Sequence, residues 1–264
     1  MVLVYLLVAL GATIVGAMAG LGGGVIIKPV LDFIGDYNVS TIGVISACTV
    51  FTMAVVSIIK QIKYKFKIEI RKTVFIGIGS VIGGVMGEKL LKAVLDLFPH
   101  NIVTVSQNAI IAIFLTLIFL YMRNKEKVKS FKVENSMVCL LIGLFLGVMS
   151  SFLSIGGGPI NICILTIFFS MEPKEAAVNS IITILFSQGA QLLAIASTKG
   201  IEAFLLPILP VMMIGGILGG IIGSRFNKMY DSEIIAKVLD VVLVLLILLN
   251  IYNVIHALSS LQLT

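Results

Sequence analysis

Charged residues are scarce in this sequence. They make up 12% of its 264 residues, whereas 59% are apolar, and the mean hydropathy is +1.14. A soluble domain contains about 25% charged residues, so an ordinary water-soluble globule, a disordered tail and a coiled coil are excluded. At about 20 residues per membrane crossing, the length accommodates roughly eight helices with short loops. We therefore predict an all-α, polytopic membrane protein.

Residues that hold metals or perform catalysis are also few. Cys48, Cys139 and Cys163 lie far apart in apolar stretches, which argues against a disulfide framework or a metal-ligand spacing. His100 and His256 have no adjacent nucleophile or metal ligand, and neither H-E-x-x-H nor G-x-S-x-G occurs. We therefore expect no enzymatic activity, no metal and no cofactor. The net charge of +6 comes without a basic, aromatic-rich patch, so we expect no nucleic-acid partner.

Long apolar runs dominate the sequence instead. They predict eight spans, at 2–20, 41–59, 73–95, 101–122, 136–155, 176–197, 203–223 and 234–257. Two shorter apolar pieces, 24–34 and 158–170, each follow three consecutive glycines. Because they are too short to cross alone, we expect them to be half-helices or re-entrant segments.

Basic residues concentrate in the loops at 60–72 and 123–132. With eight spans, these two loops and Lys199 fall on one face of the membrane. The positive-inside rule places that face in the cytoplasm, together with both chain termini.

The sequence matches itself at an offset of 134 to 136 residues. Three features recur in the same order: a glycine run, polar positions in the next span and a later glycine stripe. The matches pair Gly22–Gly24 with Gly156–Gly158, Ser46 and Thr49 with Ser180 and Thr183, and Gly79, Gly83 and Gly87 with Gly215, Gly219 and Gly223. We predict a first repeat at 1–122 and a second at 136–264, each with four spans and a half-helix, joined by a basic cytoplasmic linker at 123–135. Parallel and inverted repeats both remain open.

Each glycine run predicts a break in a helix. One glycine weakens a helix by about 1 kcal/mol relative to alanine, and Pro159 suits the first turn of a new helix. Broken helix persists at membrane depth only when it is buried in protein or lines a polar cavity. The N-terminus of each half-helix carries free N–H groups and partial positive charge, which attract anions. The alternative for a single run is close helix packing.

Polar side chains in the spans extend this predicted anion site. Most lie on one helical stripe after each half-helix, and Ser187 and Gln191 continue the second stripe. The alternatives are hydrogen bonds between helices or to the residue's own backbone, and snorkelling for Lys28. The predicted substrate-binding residues are Gly22, Gly23, Gly24, Lys28, Pro29, Ser46, Thr49, Gly156, Gly157, Gly158, Pro159, Asn161, Asn179, Ser180, Thr183 and Gln188.

The later glycine stripes predict tight packing of their helices, against each other or against a second chain. A homodimer therefore stays open. Glu88 follows the first stripe and is expected at the outer interface. No carboxylate occupies matched positions in both repeats, so a coupling ion, H⁺ or Na⁺, is also left open.

These motifs together resemble the TauE/SafE family, also called the toluene-sulfonate uptake permease family. The resemblance covers roughly residues 1–255 and rests on the two glycine runs, Pro29, Pro159, Asn179 and Ser180. It implies a prokaryotic inner-membrane transporter of small sulfur-containing or organic anions, such as sulfite, sulfonates or thiosulfate. Ile45 stands where the second half has Asn179, and Val25 where it has Pro159, so the halves are expected to contribute unequally.

We therefore predict a secondary transporter that moves a small anion across the lipid bilayer by alternating access between the two repeats. Sulfite or another organosulfur oxyanion is the leading substrate class. A passive anion channel is the main alternative. A non-transporting membrane partner protein would not need polar stripes facing broken helices, and a membrane enzyme would need a titratable pair or metal cluster.

Overall fold

The computed structural model describes residues 2–64, 70–124 and 131–261, which form α-helices and one short 3-10 helix, with no strand in these ranges. Seven of the helices are long and apolar enough to cross a membrane. The predicted all-α, polytopic class is therefore confirmed. The helices are α1 (Val2–Ala19), α2 (Gly24–Ile34), α3 (Val39–Lys63), α4 (Ile70–Leu97), α5 (His100–Arg123), α6 (Ser136–Phe152), α7 (Gly158–Phe169), α8 (Pro173–Lys199), α9 (Leu209–Met229) and α10 (Ser232–Leu261), with the 3-10 helix at Ile201–Phe204.

The two half-helices are present as predicted. α2 has 11 residues and α7 has 12, and each begins at the third glycine of its run. At 1.5 Å per residue, 11 residues extend about 17 Å, roughly half of a hydrocarbon core of about 30 Å. Each half-helix therefore begins inside the molecule.

Each half-helix also returns toward the start of the helix before it. Tyr5, near the start of α1, donates a hydrogen bond to Asp36, just after α2. The backbone N–H of Val133, just before α6, donates to the carbonyl of Phe168 near the end of α7, at 2.9 Å. The pairs α1–α2 and α6–α7 are therefore re-entrant helical hairpins.

Corresponding helices of the two halves run antiparallel. Lys199, at the end of α8, donates to Ser40 Oγ at the start of α3, at 2.7 Å. Likewise, Asn108 in the first half of α5 lies 3.5 Å from Asn253 near the end of α10. The two predicted repeats therefore have inverted orientations, an arrangement found in many transporters.

The two glycine stripes bring helices of different halves into close contact. A Cβ at Gly83 of α4 would overlap the carbonyl of Leu144 in α6, and one at Gly223 of α9 would overlap the carbonyl of Ile14 in α1. Small residues permit this approach of two backbones. The stripes thus pack on α6 and α1, and the expectation that they pack against each other is wrong. A homodimer stays a prediction.

The basic loop after α3 and the first and last described residues lie at opposite ends of the bundle. α1 begins at the end where α3 begins, and α3 then runs to Lys60 and Lys63. Tyr252 of α10 packs on Phe33 of α2, with ring centroids 5.5 Å apart, so α10 also ends where α1 begins.

The expectation that these ends and Lys199 share a face with the basic loops is therefore wrong, because each hairpin turns the chain back. Lys65, Lys67 and positions 125–130 of the predicted linker lie outside the described residues, and the division into repeats at 123–135 stays a prediction.

Candidate functional site

The two glycine breaks cross each other in the interior. A Cβ at Gly24 would lie 2.6 Å from the carbonyl oxygen of Ile155 in the second break. A Cβ at Gly158, the corresponding position, would overlap the carbonyl of Leu21 in the first break. Backbone from each break therefore occupies the space beside the third glycine of the other.

The crossing lies close to the midpoints of α3 and α8. A Cβ added at Gly22 or at Gly156 would lie within 4 Å of both Val50 of α3 and Ile184 of α8, which correspond in the two halves. Gly157, which precedes α7, has a φ of +73°, a left-handed conformation that favours glycine. Gly23 has a φ of +78° at the corresponding position before α2. The glycine runs thus allow a left-handed backbone conformation at Gly23 and Gly157 and a close approach between the backbones of the two breaks.

Two predicted serines hold the breaks in place. Ser180 Oγ donates to the carbonyl of Gly20 at 2.7 Å, and Ser46 Oγ donates to the carbonyl of Ser154 at 3.2 Å. These bonds correspond to each other, since each serine reaches from its own half to the break of the other. Both serines are therefore used in hydrogen bonds between the halves, the alternative weighed for them above.

The predicted threonines bond to their own helices. Thr49 donates to the carbonyl of Ile45 at 2.7 Å, and Thr183 donates to the carbonyl of Asn179 at 3.1 Å. The amide of Asn179 accepts from Thr73 of α4 at 3.1 Å. These hydrogen bonds satisfy the polar groups within and between helices. None of them joins Thr49, Thr183 or Asn179 to the crossing of the two breaks.

Lys28 and Pro29 belong to a second buried cluster, formed by α2, α5 and α10. Lys28 is fully buried and pairs with Asp32 at 2.7 Å. Asp32 also accepts from Asn108 at 2.9 Å, and the carbonyl of Pro29 accepts from Asn253 at 2.9 Å. A cavity of about 200 Å³ adjoins this cluster at the end of the bundle where α10 ends. Lys28 thus pairs with Asp32, and no described hydrogen bond joins it to the polar groups beside the second break.

Asn161 lies beside the second break, in the first half of α7. Its side chain is buried, and neither Nδ2 nor Oδ1 has a hydrogen-bond partner among the described residues. A Cβ at Gly157 would lie 3.0 Å from Asn161 Oδ1 and 3.1 Å from the Cβ of Ser150. An unsatisfied buried amide costs about 1–3 kcal/mol. Such a group marks a place where a ligand or a water completes the hydrogen bonds.

A chain of buried hydrogen bonds leads away from Ser150. Gln188 Nε2 lies 3.1 Å from Ser150 Oγ and donates to Gln191 Oε1 at 3.1 Å. Gln191 Nε2 then donates to Glu88 Oε2 at 3.0 Å. Ser187 joins at Ser150, with its Oγ 3.3 Å away. The structure thus brings the predicted Gly157, Asn161 and Gln188 to one polar region between α4, α6, α7 and α8.

Glu88 is only 4% exposed and so is buried between helices, near the end of the bundle where Lys199 lies, and its expected position at the outer interface stays a prediction. A carboxylate within an apolar membrane helix commonly marks a functional site, and this feature of Glu88 is visible in the sequence. Ser150 was also missed, because serines near the end of an apolar run, such as Ser150 and Ser151, have no distinguishing pattern.

This polar region is found in one half only. The positions that correspond to Ser150, Asn161 and Gln188 are Gly16, Ile27 and Ala54. The two halves therefore differ at these polar positions, and their unequal contribution to a site stays a prediction. Neutral donors grouped in a buried region, next to the N-terminus of a helix, suit a small anion.

Known proteins match nearly the whole chain. The family model described as Sulfite exporter TauE/SafE matches residues 5–250. The Probable membrane transporter protein YunE of Bacillus subtilis is 25% identical over 94% of this chain and 97% of its own length. The Probable membrane transporter protein MJ0441 of Methanocaldococcus jannaschii is 26% identical over 87% of this chain and 88% of its own length.

No solved structure matches the chain. The family match spans far more than half of the sequence, and both relatives bear the names of membrane transporters. With its apolar helices, this is a multi-pass membrane protein of a transporter family, and it belongs to the TauE/SafE sulfite exporter family.

Proposed function

We propose that the protein is a secondary transporter of a small anion, with sulfite or another organosulfur oxyanion as the leading class. The observation behind this proposal is the buried amide of Asn161, which no described residue pairs, at the N-terminal part of α7. The family description and the names of the relatives support transport. The same names speak against an enzyme.

The anion would bind beside the second break. Asn161 Nδ2 and the hydroxyl of Ser150 are neutral donors grouped there, and Gln188 Nε2, which donates to Ser150 Oγ and to Gln191 Oε1, orients the Ser150 hydroxyl. The first N–H groups of α7 lack partners within the helix, and its dipole favours negative charge at this end. A transported ion must also leave again, and neutral donors hold an anion less tightly than a buried lysine would. Gly157 contributes by leaving room for the Asn161 side chain.

Alternating access would then involve groups of helices drawn from both halves. α4 packs on α6 and α8, whereas α9 packs on α1 and α3. These two groups meet where α3 crosses α8, close to the glycine breaks. We propose that they move against each other, because a motion of 1–122 against 136–264 would separate the closest helix contacts.

The anion site can be tested with purified protein in detergent. We expect one anion in a panel of sulfite, sulfate, thiosulfate, sulfoacetate, taurine, acetate and phosphate to raise the unfolding temperature. Binding at 100 times Kd stabilises a protein by about 2.7 kcal/mol. Gln188→Leu removes the hydrogen bond that orients the Ser150 hydroxyl and should weaken binding about tenfold, since a hydrogen bond between neutral groups contributes up to about 1.5 kcal/mol.

Gln61→Leu is the matched control, because Gln61 is a buried glutamine of α3 that bonds to Asn227, far along the helix from the crossing. It should leave anion binding unchanged. Folded protein that responds to no anion, or equal losses in both glutamine variants, would refute the site. Accumulation against a gradient in liposomes separates a transporter from a channel.

We further propose that the protein lies in a prokaryotic cell membrane, with the basic end of the bundle in the cytoplasm. That end includes Lys60, Lys63 and Arg123, so the first and last described residues would face outward. In intact cells, Asn101→Cys should react with a membrane-impermeant maleimide. Lys63→Cys should react only after permeabilisation. Wild type is the control, because its three cysteines are buried, and the reverse labelling pattern would overturn this orientation.

A further inference from the structure

Glu88 is a buried carboxylate with weak charge compensation. Its Oε2 accepts from Gln191 at 3.0 Å, and its Oε1 lies 3.8 Å from Nζ of Lys199. Lys199 is 28% exposed and donates a shorter bond to Ser40, at 2.7 Å. The cation therefore stands at the edge of the protein and is shared with another acceptor.

Asp32, the carboxylate of the second buried cluster, is held differently. Its partner Lys28 is fully buried at 2.7 Å, so the two charges compensate each other directly. Removing a charge from such a pair would leave the other one buried alone, at a large cost. Of the two carboxylates, Glu88 is the one that can gain a proton without leaving a buried cation unpaired.

Few other charges face Glu88. α6, which packs most closely on α4, contains no charged residue, and α8 provides Lys199 at this end. Lys89 and Lys92 follow Glu88 on α4 itself, and both side chains are exposed. α5, which also contacts α4, carries His100 and Arg123 at its two ends, and among the described residues Lys199 is the charged group of a neighbouring helix that has an ion pair with this carboxylate.

The carboxylate is connected to the proposed anion site. Gln191 and Gln188 link Glu88 to Ser150 through hydrogen bonds of 3.0 to 3.1 Å. An anion bound beside Asn161 would therefore share one buried polar network with the negative charge of Glu88. Like charges in a membrane interior are strongly unfavourable, and a proton on Glu88 removes the conflict.

We propose that Glu88 is the proton-coupling group of this transporter: one proton binds its carboxylate for each anion that binds beside Asn161, and the two move in the same direction. The proton reaches Glu88 from the end of the bundle where Lys199 is partly exposed. This inference rests on the proposed anion transport. Glu88 would act on the anion through the hydrogen bonds of Gln191 and Gln188, without touching the anion itself.

Anion affinity as a function of pH tests the inference. One proton taken up per anion makes the apparent affinity of the wild type rise about tenfold for each unit fall in pH. Glu88→Gln imitates the protonated side chain, so it should bind at the acidic-limit affinity of the wild type at every pH. The measurement is thermal shift with sulfite, sulfate and thiosulfate over a concentration series. Because the ionisation of each anion is the same in both proteins, their difference reports on Glu88.

Three further variants test whether the pH dependence arises from the carboxylate of Glu88. Glu88→Asp keeps a carboxylate and should keep the pH dependence, whereas Asp96→Asn removes an exposed carboxylate of the same helix and should change nothing. Lys199→Met removes the nearby cation and should move the rise in affinity to higher pH, which provides a test if Glu88→Gln fails to fold.

A pH slope that persists in Glu88→Gln would overturn the inference, as would a wild-type affinity independent of pH. Either result leaves anion binding itself intact. Absence of binding by any anion would instead remove the proposed function and this inference together.

Discussion

Replacing Gly158 with alanine is expected to prevent the protein from reaching a stable fold. The new Cβ would overlap the carbonyl of Leu21, which is backbone of the other break and cannot turn aside as a side chain can. Overpacking a core costs typically about 1–3 kcal/mol, and we expect at least about 3 kcal/mol here because the crossing itself must open. The unfolding temperature and the monodisperse fraction after detergent extraction measure the loss.

Gly11→Ala is the matched control. Gly11 lies in α1, and apart from the nearby backbone of α1 itself no atom of the described chain is within 4 Å of the position its Cβ would take. Alanine there should be neutral or should stabilise the helix by up to about 1 kcal/mol. If Gly158→Ala and Gly11→Ala were equally stable, the two breaks could not cross as described.

Asn161→Leu is expected to make the empty protein more stable and to abolish its response to anions. Its side-chain amide has no partner in the described part of the chain, so leucine removes an unsatisfied buried group that costs about 1–3 kcal/mol. The same change deletes the central donor of the proposed site. We therefore expect a higher unfolding temperature without anion, and at least about a tenfold loss of anion affinity.

Asn227→Leu provides the comparison. Asn227 is also a buried asparagine, but its Nδ2 donates to the carbonyl of Met18 at 2.7 Å and its Oδ1 accepts from Gln61 at 3.2 Å. Leucine at this position should lower stability by about 1–3 kcal/mol and leave anion binding unchanged. If both variants lost stability to the same extent and still bound anions, Asn161 would be an ordinary structural amide.

The half-helices could be predicted closely because their cause is local. Three glycines and, in one half, Pro159 interrupt a helix wherever they occur, so the predicted starts at 24 and 158 match the structure. The direction of the chain after each break could not be predicted. α1 has 18 residues and is long enough to cross, and only the contact of Tyr5 with Asp36 reveals that the chain turns back.

The candidate site was predictable only in part, for a similar reason. Asn161 and Gln188 are amides in apolar helices, which is rare enough to single them out from sequence. Ser46 and Ser180 are also polar residues in apolar helices, yet each donates a hydrogen bond to a backbone carbonyl more than 100 residues away along the chain. Glu88 is buried because the end of α8 packs over it, and no local pattern encodes that contact.

The exchange of helices between the halves has a consequence for the order of events during synthesis. When the ribosome has completed residues 1–122, α1 still lacks α9, and the glycine surface of α4 still lacks α6. The carbonyl of Gly20 likewise gains its hydrogen bond from Ser180 only after α8 has been synthesised. The amino-terminal half thus enters the bilayer before its closest-fitting surfaces have their partners, and the native contacts of its first helix, with α9 and α10, are completed only when the last two helices have been synthesised.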